Sequence, residues 1–253
     1  MDIRDRICRE FTGWQRWEVI YTAVCTLAIA VIAGMTGESA LGIASAIAGT
    51  LYTMFAGKGK ISCYIFGIFN SASYGYIAYT YKLYGDAMLN IFCYLPMMFL
   101  GIACWKKQMD ECDCVIKNRL DWRGRIVLVL CCAVAIVVYA LILRRLGGAQ
   151  AFVDSSTTVF SVAAMILTVK RCIEQWLLWI AVNFISVLMW LRVYLEKGNS
   201  IAILLWWLIM LITGVIFFAN WLREMRGNPE ANLFPENPEL ESGISYCRRN
   251  PDR

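Results

Sequence analysis

The chain has 253 residues, of which 59% are hydrophobic and 17% charged, and its mean hydropathy is +0.56. Soluble domains carry roughly 45–50% apolar and about 25% charged residues, so this composition excludes a soluble globular protein and indicates a polytopic membrane protein. There is no histidine, which removes the commonest general base and transition-metal ligand. The net charge of +5 is spread over short loops, so it does not indicate a nucleic-acid-binding surface.

Eight apolar segments are long enough to form transmembrane helices, each of which needs about 20 mostly apolar residues. In chain order they cover residues 17–34, 39–57, 61–81, 87–105, 126–143, 153–169, 175–195 and 201–222. The sequence therefore predicts an all-α protein with eight transmembrane helices. Its parts are an N-terminal segment (1–16), an additional helix (17–34), a three-helix repeat (39–105), a loop and linker helix (106–146), a second three-helix repeat (152–222) and a tail predicted to be disordered (223–253).

The lysines and arginines collect in alternate loops, which predicts the orientation of the helices. The two terminal segments and the loops on their side hold 19 basic residues, whereas the opposite loops hold five. Because basic loops stay in the cytoplasm, both termini are expected to be cytoplasmic. The same distribution supports an even number of spans.

An internal repeat appears when the sequence is shifted by 113 residues without gaps. Asn70 then falls on Asn183, and the first repeat (39–105) aligns with the second (152–222). A three-helix unit has an odd number of spans, so the linker helix between the copies restores a common orientation. Parallel repeats of this kind are a transporter architecture, in which the substrate lies near mid-membrane between the repeats. Asn70 and Asn183 are therefore expected to face each other.

The seventh predicted helix carries a stripe of amide and indole side chains. Gln175, Trp179 and Asn183 recur every four residues, Trp176 lies at the edge, and Ser186 and Trp190 extend the stripe. Unpaired polar groups are costly in hydrocarbon, so the stripe is expected to face a bundle interior or a wet cavity. The alternative is that the indoles anchor the helix at the membrane interface and the amides join helices together.

The third predicted helix carries a weaker copy of this stripe, formed by Ser62, Phe66, Asn70 and Ser73. Such aromatic and neutral polar side chains suit a flat ring, especially a cationic one, attached to a hydroxyl-rich group. Further lining residues are expected from the third, fourth and sixth predicted helices: Phe69, Tyr74, Tyr76, Tyr79, Asn90, Ser155, Ser156, Thr157, Thr158 and Ser161. The hydroxyls among them can instead bond back to their own helix.

No acidic residue lies in the middle of a predicted span, although ion-coupled carriers normally keep an ionisable group there. The sequence also lacks a nucleotide-binding phosphate loop. These features favour passive movement without a cofactor. Cys112 and Cys114 form a pair, but no second pair stands at metal-site spacing, so no metal is expected.

With its motif Q-W-x-x-W-x-x-x-N at residues 175–183, and with Asn70 in the first repeat, the sequence resembles the PnuC family of bacterial vitamin transporters. The resemblance covers roughly residues 17–223. It implies a SWEET-like core of three, one and three helices behind an N-terminal helix, in the bacterial inner membrane. It also implies a nicotinamide riboside substrate, facilitated diffusion with trapping by a cytoplasmic kinase, and a homo-oligomer for which a trimer is one candidate.

The resulting hypothesis is a carrier for nicotinamide riboside, a vitamin B3 precursor, and not an enzyme. Trp176 and Trp179 would stack on or wall the pyridinium, and Phe66 would close the opposite wall. The ribose hydroxyls or the carboxamide would bind to the amides of Gln175, Asn183 and Asn70. The alternatives are a carrier of thiamine, riboflavin or a sugar on the same fold, an intramembrane enzyme, and a helix-bundle receptor that binds without flux.

Overall fold

The computed structural model describes residues 10, 14–35, 37, 39–82, 84–109, 114–147, 150–197 and 201–227. Cys112, most of the N-terminal segment and most of the predicted disordered tail lie outside these residues. Over the described residues the chain is all-helical. The helices are α1 (Arg16–Met35), α2 (Ala40–Gly57), α3 (Cys63–Thr80), α4 (Tyr84–Lys106), α5 (Trp122–Arg145), α6 (Ala151–Val169), α7 (Glu174–Lys197) and α8 (Ile201–Gly227).

Seven of these described helices are long and apolar enough to cross a membrane, which supports the predicted polytopic membrane protein. The exception is α3, whose 18 residues include Asn70, two serines and four tyrosines. The number of spans therefore stays a prediction. The helix ends agree with the predicted ends to within a few residues; α5 begins at Trp122 because the side chain of Asp121 accepts a hydrogen bond from the N–H of Gly124.

The structure divides into two compact units, Met1–Asn118 with Arg223–Arg253, and Arg119–Leu222. In the first unit α1 packs against α2, α2 against α3, and α3 against α4. An ion pair joins the first turn of α1 to the end of α2: the Lys58 Nζ lies 2.8 Å from Glu18 Oε2. The same carboxylate accepts a hydrogen bond from the N–H of Gln15, at the start of α1.

The middle of α4 winds as a π-helix over Leu89–Tyr94, where the Leu95 N–H donates to the Asn90 carbonyl five residues earlier. Pro96 explains this π-helical turn, because proline has no N–H to donate and its ring crowds the preceding turn of the helix. The Asn90 side chain is buried and donates to the Asp86 carbonyl, so it is held within its own helix.

In the second unit α5 packs against α6, and α6 against α7. The helix predicted as a linker therefore belongs, by its packing, with the helices that follow it. The two leading helices, α1 and α5, bury the same residue types at the same spacing on the face that meets the next helix. These are Cys25, Ile29 and Ala33 in α1, and Cys132, Ile136 and Ala140 in α5.

The connections between the second and third helices of the two units share one backbone geometry. Lys58 ends α2 and is followed by Gly59 with φ 69°, whereas Lys170 ends α6 and is followed by Arg171 with φ 63°. The N–H groups of both connections donate to carbonyls at the same relative positions. The two connections are thus related by an offset of 112 residues, and the predicted offset of 113 is wrong here.

Aromatic packing supports the offset of 112. Tyr64 in α3 contacts Trp105 in α4 with ring centroids 5.0 Å apart, and Trp176 in α7 contacts Phe217 in α8 at 5.5 Å. Both pairs have the same positions within their units. Their equivalence places the third and fourth helices of each unit in the same register as the connections.

This register changes the residue pairs that the sequence predicted. Asn183 corresponds to Ser71, and Asn70 corresponds to Val182. This register could not be read from the residues, because the left-handed position after α2 is Gly59, whereas its counterpart after α6 is Arg171.

Candidate functional site

The predicted stripe of α7 lies on the buried face of that helix. Gln175 is 2% exposed and Asn183 9%, while Trp179 is half-buried. On the opposite face Leu177 and Phe184 are 49% and 52% exposed, as expected for side chains that meet lipid. The amides therefore face into the second unit, as the sequence predicted. The burial of Gln175 fits both an amide that faces a cavity and the alternative of an amide that joins helices.

Trp176 is a packed residue at the junction of α7 and α8. Its ring is tilted by 39° against Phe217, and the Trp221 ring meets it edge-on with centroids 5.8 Å apart. Part of the indole surface is therefore already covered by protein. Among the described residues, however, its Nε1–H has no hydrogen-bond acceptor, although the atom is buried.

The neighbouring Gln175 has the same property. Its Nε2 is buried and finds no acceptor among the described residues. A buried donor without a partner costs about 1–3 kcal/mol, so two adjacent ones are unfavourable unless something binds them. Asn183 lies about two turns further along the same face of α7. A Cβ added at Gly214 would be 3.9 Å from the Asn183 Nδ2. These three side chains can donate to oxygen atoms of a neutral or cationic ligand.

In the first unit Asn70 of α3 is held by α2. Its Nδ2 donates to the Ser45 carbonyl at 2.8 Å and to the Ser45 hydroxyl at 3.2 Å. Because a carbonyl can only accept, this contact fixes which end of the amide is nitrogen, and it leaves Oδ1 as the free acceptor. Gly49 allows the approach, since a Cβ there would lie 3.0 Å from Asn70 Nδ2.

The predicted wall residue Phe66 stands in a row of aromatic rings in the first unit. Its ring centroid is 5.3 Å from that of Phe55, which is 5.2 Å from that of Trp14. Phe66 is half-buried, so part of the ring is open. The sequence reasoning missed Ser45 and Gly49 as partners of Asn70; their signal was a pair of small residues four apart on α2.

Several of the other expected lining residues are engaged elsewhere. The hydroxyls of Ser155, Ser156 and Thr157 bond back to carbonyls of α6, which is the alternative that the sequence left open. Tyr76 and Tyr79 are exposed on the face of α3 away from its buried contacts, as is Phe69. The expectation that these three aromatic rings line the site stays a prediction, which their exposed positions do not support.

Two buried carboxylates of the described residues lie at helix starts and form ion pairs. Glu18 pairs with Lys58, and Glu174, the first residue of α7, pairs with Arg125. Just before Glu174, burial raises the pKa of the Cys172 thiol, the Glu174 charge raises it too, and Lys170 and Arg171 oppose the shift, so that the resulting pKa is about 11. Within the described part of the chain no group of three or more His, Cys, Asp or Glu residues could hold a metal.

A helical membrane protein whose buried faces offer amides and aromatic rings, with its charges confined to helix ends, has the features of a solute transporter. The comparisons with known proteins agree. The family described as Nicotinamide mononucleotide transporter matches residues 39–223, and the chain belongs to this family, whose members are multi-pass membrane proteins of bacteria.

Two relatives named Nicotinamide riboside transporter PnuC are similar over most of their length. The protein of Neisseria mucosa is 35% identical over 219 residues, which cover 84% of this chain and 83% of the relative. The protein of Haemophilus influenzae is 32% identical over 227 residues, which cover 88% and 97%. The crystal structure of the Vitamin B3 transporter PnuC matches with a TM-score of 0.73 at 34% identity, covering 87% of this chain and 96% of that one.

Proposed function

We propose that this protein carries nicotinamide riboside across the bacterial inner membrane by facilitated diffusion, and that cytoplasmic phosphorylation of the riboside draws uptake inward. The named substrate of the relatives supports this proposal. The observation that carries it is the pair of buried, unpartnered donors at Gln175 and Trp176, on the same helix as Trp179 and Asn183. They suit a ligand that brings acceptor oxygens together with an aromatic ring.

The packing divides the work among the site residues. Trp179 is the indole with open surface, so it stacks on the cationic pyridinium. Trp176, already packed on Phe217, walls the site and donates through Nε1 to the carboxamide or to a ribose oxygen. Gln175 and Asn183 bind the remaining oxygens.

The first unit adds two groups to this assignment. The Oδ1 of Asn70 accepts a hydrogen bond from a ribose hydroxyl, because the Asn70 Nδ2 already donates to Ser45. Phe66 supplies an aromatic wall. That Asn70 and Asn183 face each other stays a prediction of the sequence, and in the observed register they are not equivalent positions of the repeat.

The charge distribution favours the riboside over its 5′-phosphate. A phosphate dianion is normally bound by arginine, lysine or a helix N-terminus. The N-terminus of α7, where the proposed donors lie, already carries the Glu174 carboxylate, which would repel a second anion. The described helices α2, α3, α4 and α6 carry lysines or arginines at most at their ends, and Arg192 of α7 is exposed and pairs with Glu196. A cationic ring beside neutral amides needs no such partner.

The proposed architecture is the SWEET-like arrangement of two parallel three-helix repeats, α2–α4 and α6–α8, with α5 between them and α1 in front. The matching connections and the matching aromatic pairs support a duplication. The shared buried residues of α1 and α5 extend it to four helices per copy. The homo-oligomer, with a trimer as one candidate, stays a prediction.

Binding and flux measured together test the proposal. Purified protein should bind nicotinamide riboside, and proteoliposomes should take it up and release it chemically unchanged. Trp179→Ala should raise the Kd by at least about tenfold. Trp122→Ala is the matched control, because that indole is 75% exposed at the start of α5. Wild-type protein without affinity, or Trp179→Ala with unchanged affinity, would contradict the assignment.

Another vitamin is the second candidate, since a stacking indole and amides also suit thiamine or riboflavin. Competition for bound riboside by thiamine, riboflavin, glucose and nicotinamide mononucleotide separates these substrates. We expect none of the four to compete at equal concentration. Binding without flux would instead indicate a receptor, and a chemically altered product would indicate an enzyme.

A further inference from the structure

The carboxylate of Glu174 is the most heavily bonded side chain near the proposed site. Its Oε1 accepts from the Arg125 guanidinium twice, at 2.9 Å from both Nε and Nη2. Both carboxylate oxygens also accept from the backbone N–H of Leu120, at 3.1 and 3.2 Å. The carboxylate is 6% exposed, so these bonds replace most of its contact with water.

These bonds join two helix starts that are far apart in sequence. Leu120 and Arg125 flank the N-terminus of α5, where Asp121 caps the helix, and Glu174 is the first residue of α7. In the described second unit α5 packs on α6 and α6 on α7. Glu174 therefore links the start of α7 directly to the start of α5, in addition to the packing of both helices against α6.

The position of this contact matters because of the residues that follow it. Gln175 and Trp176 are two adjacent buried donors that have no acceptor among the described residues. They lie in the first turn of α7, and the first turn of a helix frays readily when nothing holds it. A carboxylate there also complements the positive end of the helix dipole.

We propose that Glu174 is a positioning residue for ligand recognition. Its bonds to Arg125 and to the Leu120 N–H hold the first turn of α7, so that the Gln175 amide and the Trp176 indole N–H point at the bound molecule. This inference rests on the proposed function of the site. It assigns Glu174 no contact with the ligand and no role as a proton carrier.

The first unit offers a built-in comparison. In the observed register Ser62 occupies the position of Glu174, and its hydroxyl donates to the carboxylate of Glu10. The next two residues there are Cys63 and Tyr64, which are fully buried and belong to the packing. Breaking the acidic contact of the first unit should therefore affect stability without moving the two donors.

The test is a double-mutant cycle on binding. Glu174→Gln keeps the size of the side chain but removes its charge, and Arg125→Gln removes the partner, which is 46% exposed. Each should raise the Kd for nicotinamide riboside about tenfold. In a Gln175→Leu background, Glu174→Gln should change the Kd by a clearly smaller factor than in the wild-type protein, because one of the two donors that it positions is gone.

Glu10→Gln, which breaks the contact with Ser62, and Glu18→Gln are the controls, and we expect lower melting temperatures for them with an unchanged Kd. If wild-type protein does not bind the riboside, the proposed function fails. If it binds, and Glu174→Gln and Arg125→Gln bind equally well, positioning by Glu174 is wrong. Additive effects of Glu174→Gln and Gln175→Leu would contradict it too, and Arg125→Gln decides the matter should Glu174→Gln not fold.

Discussion

The two asparagines of the proposed site offer different groups to a ligand. Asn70 has both hydrogens of its amide directed at Ser45, so it presents an oxygen. Asn183 makes no hydrogen bond to another described side chain and can present either end of its amide. An asymmetric ligand with a hydroxyl-rich side and an amide side matches this difference better than a symmetric one does.

The close approach of α2 and α3 at Asn70 gives a prediction at this scale. In Gly49→Ala, the new Cβ would lie 3.0 Å from Asn70 Nδ2, so the amide must move away from Ser45. We expect a Kd for nicotinamide riboside raised about five- to tenfold, measured by calorimetry.

Two other glycines are the controls for this variant. A Cβ at Gly214 would be at ordinary contact distance from Asn183, and a Cβ at Gly85 would meet nothing within 4 Å. Gly214→Ala should therefore change the Kd less than Gly49→Ala, and Gly85→Ala should leave it unchanged. Equal Kd values for wild type and Gly49→Ala would remove Asn70 from the site.

A second prediction concerns the reactivity of Cys172. Its raised pKa of about 11 means that the reactive thiolate is scarce at pH 7 and becomes abundant only in strong alkali. Labelling by a maleimide, followed by peptide mass spectrometry, should therefore be slow at pH 7. Its rate should rise with pH through pH 9 and above.

Replacing the neighbouring charge should move this pH profile. Because the Glu174 carboxylate helps to raise the thiol pKa, Glu174→Gln should shift the labelling profile to lower pH. Glu18→Gln, in the other unit, is the control and should not shift it. An unchanged profile in Glu174→Gln would mean that burial alone sets this pKa.

At the scale of helices, composition and hydrophobic length were enough to predict most of the architecture. All eight described helices overlap the predicted segments, because an apolar run of this length has few alternatives in a membrane. The apolar pattern placed the start of this helix at residue 126, whereas α5 begins at Trp122. The first turn was missed because it contains arginines and is therefore not apolar. The repeat register was missed since Arg171 adopts a conformation that sequence associates with glycine.

The candidate site was predictable to a lesser degree. The stripe of α7 could be found because its period matches a helix and its side chains are costly in lipid. That Trp176 packs against Phe217, or that Ser45 holds Asn70, depends on contacts between helices, which a single sequence does not encode locally.

The ion pair between α1 and α2 gives a prediction about stability. The side chains of Glu18 and Lys58 are mostly buried, so removing one partner leaves a charge in a poorly solvated place, at a cost of about 3–5 kcal/mol. Lys58→Met should lower the melting temperature in detergent by several degrees. The exchange Glu18→Lys with Lys58→Glu should restore only part of the loss, because the Gln15 N–H loses its acceptor.

The exposed pair of Arg192 and Glu196 in α7 is the control for this effect. Exposed pairs contribute little to stability, so Arg192→Gln should leave the melting temperature unchanged. If Lys58→Met melts at the wild-type temperature, the ion pair between α1 and α2 contributes nothing measurable to stability.

At the scale of the whole molecule, the distribution of basic residues predicts cytoplasmic termini. With 19 basic residues on one side and five on the other, a C-terminal reporter that works only in the cytoplasm should be active. A periplasmic reporter fused at the same residue should be inactive. The reverse result would invert the topology and place the Glu174–Arg125 contact on the outer side.

The last prediction concerns the driving force. The described spans carry their acidic residues at helix ends, four of them in ion pairs, so nothing in mid-span binds a proton or a sodium ion in exchange for substrate. The substrate, however, carries a pyridinium charge. A membrane potential of 100 mV changes the free energy of moving a single charge across the membrane by about 2.3 kcal/mol, which corresponds to roughly 50-fold in the concentration ratio at equilibrium.

In proteoliposomes with the potential clamped at zero, a pH or sodium gradient should therefore not drive accumulation of nicotinamide riboside. A potassium diffusion potential, negative inside, should drive it. Accumulation driven by the pH gradient at zero potential would show coupling, and a carrier with a proton site outside the described residues would have to replace the uniporter.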